Sequence, residues 1–187
     1  GRGVFDNLRK FIVWTIPTNA TEGMVLLIAI IFNLPLPISP LQILWINMMT
    51  AIFLGMGLAF EPKESGLMQR KPNNPKLPIF DRILLFRSIY VTILLITGIL
   101  IISNINSSFC MPIVFTQTVA SNVLVFGEMF YLFNCRSFKQ SPFNIGFFSN
   151  KAIILGVFLM VVAQLFFTYL PIMNVLFGTA PINPFSW

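Results

Sequence analysis

Histidine is absent from this sequence of 187 residues, and charged residues make up only 10% of it. The absence of histidine, together with only two cysteines, argues against zinc and soft-metal sites, which need imidazole or thiolate ligands. The scarcity of charge leaves too little polar surface for a water-soluble domain, since 56% of the residues are hydrophobic and 21 are phenylalanine. We therefore expect lipid to be the main solvent of this chain.

Other absences narrow the choice further. The 12 lysines and arginines form no basic stripe of the kind that follows nucleic acid phosphates, so no nucleic acid partner is expected. No short apolar segment with a small-residue cleavage site opens the chain, which argues against a signal peptide, and the abrupt start at Gly1 suggests a fragment. Cys110 and Cys135 flank a helix-length stretch that would separate them by roughly 30 Å, too far for a disulfide.

Five apolar segments have the length of a bilayer-spanning helix, about 17 to 25 residues. Segments rich in proline, asparagine or charge separate them. The sequence therefore predicts an all-α fold, a membrane bundle of about five transmembrane helices in one domain, 1–187. The predicted spans are 11–32, 40–60, 83–105, 114–134 and 152–173, and the predicted cytosolic loops are 61–82 and 135–150.

The basic residues provide a check on this topology. If the chain crosses the bilayer at each segment, all 12 fall on one side, before the first span, after the second and after the fourth. The connections on the other side carry no charge. By the positive-inside rule the N-terminus is cytosolic and the C-terminus lies outside. The alternative, a soluble protein with buried apolar helices, does not explain this sidedness.

Two acidic residues lie where a charge is costly. Glu22 is in the middle of the first span and Glu128 is in the cytosolic half of the fourth, where an ionised carboxylate costs about 3 kcal/mol. Such a residue marks a cation site, a proton relay or a buried pair, and Glu128 alternatively snorkels or pairs with Arg136. The other four acids fall in cytosolic segments, where we expect solvated charges. They are Asp6, Glu61, Glu64 and Asp81.

Polar neighbours favour the cation site. Asn19 and Glu22 share one face of the first span, and Asn47 and Thr50 repeat the same spacing in the second. Carboxylate, amide and hydroxyl oxygens on adjacent helices suit a hard cation. Glu128 lies on a polar stripe of the fourth span. The other members of that stripe are Gln117 and Ser121, which, like Thr15 in the first span, are better explained as interhelical hydrogen-bonding residues.

Pro17 adds a backbone feature to the first span. A proline inside a helix removes one ladder hydrogen bond, and the carbonyl that it frees beside Glu22 is a candidate ligand. A simple kink, common in membrane helices, is the alternative.

Several motifs occur in the order found in type II P-type ATPases. The segment 1–12 resembles the stalk before their fifth transmembrane helix, and Pro17-Thr-Asn-Ala-Thr-Glu22 resembles the ion-binding turn of that helix. Gln42-Ile-Leu-Trp-Ile-Asn-Met-Met-Thr50 resembles the sixth helix. The loop that follows it in these pumps is similar to Phe60-Glu-Pro and Met68-Gln-Arg-Lys-Pro72. The similarity continues more loosely as far as Glu128.

The resemblance implies that the five spans are the fifth to ninth helices of a ten-helix pump, of the bacterial branch and in the plasma membrane. It also implies the residues that ligate the transported cation, which are Asn19, Glu22, Asn47, Thr50 and Glu128. Calcium and sodium pumps have Asp where this chain has Ala51, and the Gly and Pro that unwind their sixth helix are replaced within 52–54. The cation is therefore left open among Ca²⁺, Na⁺ and K⁺.

The same resemblance implies partners beyond the bilayer. The Asp-Lys-Thr-Gly phosphorylation motif is absent, so this chain alone cannot hydrolyse ATP. The implied partners are the phosphorylation, nucleotide and actuator domains and the first four helices, and Mg-ATP would bind in the missing domains. The loop 61–81 would dock on the phosphorylation domain. Two other classes of function remain, a fragment of a proton-coupled secondary transporter or channel, whose usual inverted repeats are not seen, and a non-transporting membrane subunit.

Overall fold

A computed structural model describes residues 2–62, 82–136 and 149–183, so most of the two predicted cytosolic loops, including the predicted docking segment, lies outside the described residues. The described part is built from α-helices with one π-helical segment. The helices are α1 (Arg2–Ile31), α2 (Pro40–Thr50), the π segment (Ala51–Gly55), α3 (Met56–Ala59), α4 (Arg82–Ser108), α5 (Ile113–Cys135), α6 (Lys151–Tyr169) and α7 (Pro171–Phe177).

Five helical rods in this part of the chain are long and apolar enough to cross a membrane, with α2, the π segment and α3 forming one of them. The predicted all-α bundle is confirmed. The first rod begins nine residues before the predicted span, so the basic stretch continues the helix. The last rod ends at Tyr169 rather than 173, because Pro171 disfavours the helical conformation at the residue before it.

Side-chain contacts show that successive rods run in opposite directions. At one end Asn7 of α1 bonds to Ala59, and Arg87 of α4 bonds to Asn134 of α5. We call this the basic end, because Arg82, Arg136 and Lys151 also lie at helix termini there. At the opposite, uncharged end, the side chain of Gln42 in α2 donates to the carbonyl oxygens of Phe177 and Gly178 after α7.

The outer surface of the bundle is apolar. Large apolar side chains on every rod are exposed, and α4 has the smallest buried share of the five rods. In water such a surface would be an extensive hydrophobic patch, whereas in a bilayer it is the contact with lipid. The exposed surface therefore agrees with a membrane-embedded bundle.

The π segment packs closely against α6. A methyl group added at Gly156 would lie 2.1 Å from the backbone oxygen of Phe53, so only glycine permits this approach. Gly57, just after the π segment, faces Ile153 of the same helix. Small residues at helix contacts are the usual means of close packing in membranes. This contact fixes the position of the second rod against α6.

We expect Gly156→Ala to destabilise the protein by about 1–3 kcal/mol, because the added methyl group must push α6 away from the π segment. The measurement is the midpoint of thermal inactivation of the purified protein in detergent. Gly23→Ala is the matched control, since its methyl group would meet nothing within 4 Å and alanine favours the helix. Equal midpoints for the two variants would contradict the packing role of Gly156.

Candidate cation site

Glu22 and Asn47 meet between α1 and α2. The Asn47 side-chain nitrogen donates a 2.5 Å hydrogen bond to Glu22 Oε2, and it also lies 3.3 Å from the backbone oxygen of Ile43. Glu22 is only 5% exposed. It follows Lys10 by twelve residues, or about 18 Å along the helix, which is deep in the span. The polar faces that helical spacing predicts on α1 and α2 therefore meet, and the carboxylate contacts the amide.

Glu128 reaches the same region from α5. Its side chain is 1% exposed, and neither carboxylate oxygen has a hydrogen-bond partner of good geometry among the described residues. The Thr50 hydroxyl lies beside it, and the carboxylate is within electrostatic reach of Glu22. We call Glu22, Asn47, Thr50 and Glu128 the carboxylate site. Two acids, one amide and one hydroxyl from three rods form an oxygen-rich group that can bind a hard cation.

Two other predicted features lie apart from the carboxylate site. Asn19 is one turn before Glu22 but is exposed, so its part in a cation shell stays a prediction. Ala51, which stands where the resembled pumps carry Asp, is also exposed and lines a cavity of about 370 Å³ beside Asn7 and Phe11. The second rod is interrupted near the positions where the resembled pumps have Gly and Pro, because the π segment begins directly after Thr50.

The carbonyl freed by Pro17 accepts a hydrogen bond from α5. Proline at position 17 leaves the Val13 oxygen without its ladder donor, and the Tyr131 hydroxyl of α5 donates to that oxygen at 3.1 Å. The Trp14 ring nitrogen donates to the backbone oxygen of Glu128, also at 3.1 Å. The freed carbonyl of Val13 therefore helps to join α1 to α5 next to the carboxylate site, and its part as a cation ligand stays a prediction.

The polar stripe on α5 divides into two roles. Gln117 donates to the Leu36 oxygen and Ser121 donates to Gln42 Oε1, so both hold helices and connections together, as predicted. Thr15 does not share this role, because its hydroxyl is buried without a partner among the described residues. Of this stripe, only Glu128 reaches the carboxylate site.

Glu61 departs from the expectation of a solvated charge. Its side chain is 5% exposed and pairs with Arg136, itself 1% exposed, at 3.0 Å. The alternative in which Arg136 pairs with Glu128 is accordingly not observed. The loop composition around Glu61 gave no signal of burial, because the segments that surround it in space come from three distant parts of the sequence.

A second polar group, missed in the sequence, lies between α5 and α6. Asn122 donates to the Thr168 hydroxyl at 3.3 Å, and Thr168 donates to the Gln164 backbone oxygen. The Gln164 amide is fully buried and has no partner among the described residues. Asn122 and Gln164 are separated by 42 positions, so no local spacing links them. This group contains no carboxylate.

Comparisons with known proteins identify the family of this chain. The family model described as "Cation transporting ATPase, C-terminus" matches residues 35–187. The chain is 49% identical over its whole length to the Probable cation-transporting ATPase F of Mycobacterium tuberculosis. It is 35% identical to the Cation-transporting ATPase pma1 of Synechocystis and 32% identical to the Calcium-transporting ATPase of Bacillus subtilis, again over the whole chain.

In each of these three relatives the aligned region covers 21% of the protein, so the chain spans about a fifth of the length of the curated relatives it matches. The family match covers most of the chain, and the five apolar rods make it an integral, multi-span membrane domain. The chain belongs to the P-type cation-transporting ATPases and corresponds to their C-terminal transmembrane region.

Proposed function

We propose that the carboxylate site binds the cation that a complete ATP-driven pump carries across the membrane. The observation that carries this proposal is the convergence of Glu22 and Glu128 from different rods, with the Glu128 oxygens unpartnered among the described residues. Two buried acids within electrostatic reach of each other are unfavourable in hydrocarbon unless a positive ion or protons neutralise them. A transported cation supplies that positive charge.

Each residue of the site has a distinct part. Glu22 is the main charged ligand, Asn47 positions it through the amide hydrogen bond, and Thr50 contributes a hydroxyl oxygen. Glu128 is an auxiliary ligand or a proton carrier for counter-transport. Asn19 lies on the exposed side of α1, where it completes the cation shell together with the part of the pump that this chain does not span.

ATP hydrolysis belongs to that other part of the pump. Mg-ATP acts in the phosphorylation, nucleotide and actuator domains, and their motion reaches the carboxylate site through the start of α1. The basic end of the bundle faces the cytosol, as the positive-inside rule requires, and the membrane is the bacterial plasma membrane. The site then opens alternately to the two sides.

Calcium is the first ion to test. The relative from Bacillus subtilis is named for calcium transport, whereas the other two named above are described only as cation-transporting. Ala51 removes one acid from the set found in the resembled pumps, so this site has less negative charge to offer. Fewer carboxylates favour one divalent ion, or a monovalent ion, over two divalent ions.

The experiment is a titration of ATP hydrolysis by the purified complete pump with Ca²⁺, Na⁺ and K⁺ separately. We expect one of them to stimulate hydrolysis, and Asn47→Ala to raise the half-activating concentration of that ion about tenfold, because Glu22 loses its positioning bond. Asn19→Ala tests the exposed position separately. If none of the three ions changed the rate of hydrolysis, a cation-binding role would be contradicted. A wild-type response of Asn19→Ala would remove only Asn19 from the proposed cation shell.

A further inference from the structure

The basic end of the bundle contains a buried polar cluster that the carboxylate site does not use. Glu61 Oε1 accepts from the Nε and the terminal nitrogen of Arg136, at 3.1 and 3.0 Å, and Glu61 Oε2 accepts from the Asn150 amide at 2.6 Å. Arg136 also donates to the Ser149 hydroxyl. Asn7 of α1 donates to the backbone oxygen of Glu61 at 2.9 Å. We call Asn7, Glu61, Arg136 and Asn150 the Glu61 junction.

The junction holds the end of α3 from outside. The last carbonyl groups of a helix have no partner within the helix. Here Asn7 also donates to the Ala59 oxygen at 2.9 Å, and Asn150 donates to the Gly57 oxygen at 3.2 Å. Asn150 at the same time caps the start of α6 through its side-chain oxygen. The end of α3 is therefore attached to α1 on one side and to α6 on the other.

Three of the segments that meet at the junction lead to the carboxylate site. α1 carries Glu22, α5 carries Glu128, and α3 continues through the π segment to Asn47 and Thr50. A buried ion pair resists separation, because either charge left alone would be desolvated without a partner. A displacement of the start of α1 therefore moves α3 and α5 with it, whereas helices in loose contact would slide past each other.

We infer that the Glu61 junction is a positioning device, which couples movement of the start of α1 to the geometry of the carboxylate site. This inference rests on the proposed function, in which the domains outside this chain act through α1. Asn7 is the link to α1, and Glu61 with Arg136 is the rigid centre. None of these residues contacts the cation.

Asn7→Ala in the complete pump is the first test, because it removes the link to α1 and leaves the ion pair intact. We expect the half-activating cation concentration to rise by about two- to thirtyfold, the range over which residues remote from a site change coupling. Cation transported per ATP hydrolysed, measured in proteoliposomes, should fall by about twofold or more. Asn134→Ala is the matched control, an exposed asparagine at the same end of the bundle.

A second variant addresses the centre of the junction. Glu61→Leu with Arg136→Met replaces the pair by apolar side chains and leaves no buried charge alone. We expect thermal stability near that of the wild type but a lowered ratio of transport to hydrolysis, a readout that a merely structural role would not move. Wild-type ratios and cation affinities in both Asn7→Ala and this double variant would overturn the inference.

Glu22→Gln measured alongside separates the two proposals. If Glu22→Gln loses cation affinity while the junction variants behave as the wild type, the junction inference fails and the carboxylate site stands. If the junction variants lower the transport ratio while Glu22→Gln keeps wild-type affinity, the junction stands and the assignment of Glu22 as the main ligand fails.

Discussion

Replacing Glu22 with Gln is expected to raise the cation concentration needed for half-maximal ATP hydrolysis by about a hundredfold. Glutamine has nearly the same shape, but it removes the negative charge of the main ligand. A hydrogen bond or contact to a charged group in a buried site contributes about 1.5–3 kcal/mol, and every 1.4 kcal/mol changes an equilibrium tenfold. Burial of Glu22 at 5% exposure places the effect at the upper end of that range.

The Glu22 measurement uses the purified complete pump, with the stimulating ion identified first. Asp6→Asn is the matched control, because it also removes one carboxylate, but at the basic end and about 24 Å along α1 from Glu22. We expect the control to keep its cation response. Wild-type affinity in Glu22→Gln would show that this buried acid is not a ligand, and its assignment as the main charged ligand would fail.

Glu128→Gln is expected to have opposite effects on stability and on cation binding. Glu128 is buried within electrostatic reach of Glu22, with the Thr50 hydroxyl beside it, so the folded protein has to neutralise its charge. We expect the cation-free protein to gain about 1–3 kcal/mol of stability, because glutamine is already neutral and needs neither a proton nor a cation. The cation affinity should fall about tenfold, because one ligand charge is lost.

Glu61→Gln provides the comparison for Glu128. It is the same substitution at an acid whose partner, Arg136, is buried beside it, and breaking such a pair costs about 3–5 kcal/mol. Thermal inactivation of cation-free protein should therefore shift upward for Glu128→Gln and downward for Glu61→Gln. A loss of stability in Glu128→Gln without any change of affinity would indicate that Glu128 is a structural residue.

The sequence predicts most of the membrane architecture because length and hydrophobicity determine it. Runs of about 20 apolar residues must form helices in lipid, where every backbone polar group needs an internal partner. The helix bounds differ from the predicted spans where a local rule competes. α6 ends before Pro171, although apolar residues continue beyond it, and α1 extends back through a basic stretch whose composition does not suggest a membrane span.

The candidate site is only partly predictable for a related reason. Helical spacing places Asn47 and Thr50 on one face, and a buried acid such as Glu22 stands out in an apolar run. Spacing alone does not say which face a neighbouring helix covers, so it groups Asn19 with Glu22 although Asn19 is exposed. The partners of Glu61 and of Thr168 come from other helices, and contacts of that kind depend on packing that no single segment encodes.

The interruption after Thr50 has a geometric consequence for the whole second rod. A π turn holds one residue more than an α turn, so the rod contains the equivalent of a single-residue insertion. Asn47 can therefore point toward α1 while Gly57 keeps its contact with Ile153 on α6. In an uninterrupted α-helix one of these two faces would be rotated away by about 100°. The second rod therefore contacts both α1 and α6 with residues that an uninterrupted helix could not direct toward both neighbours at once.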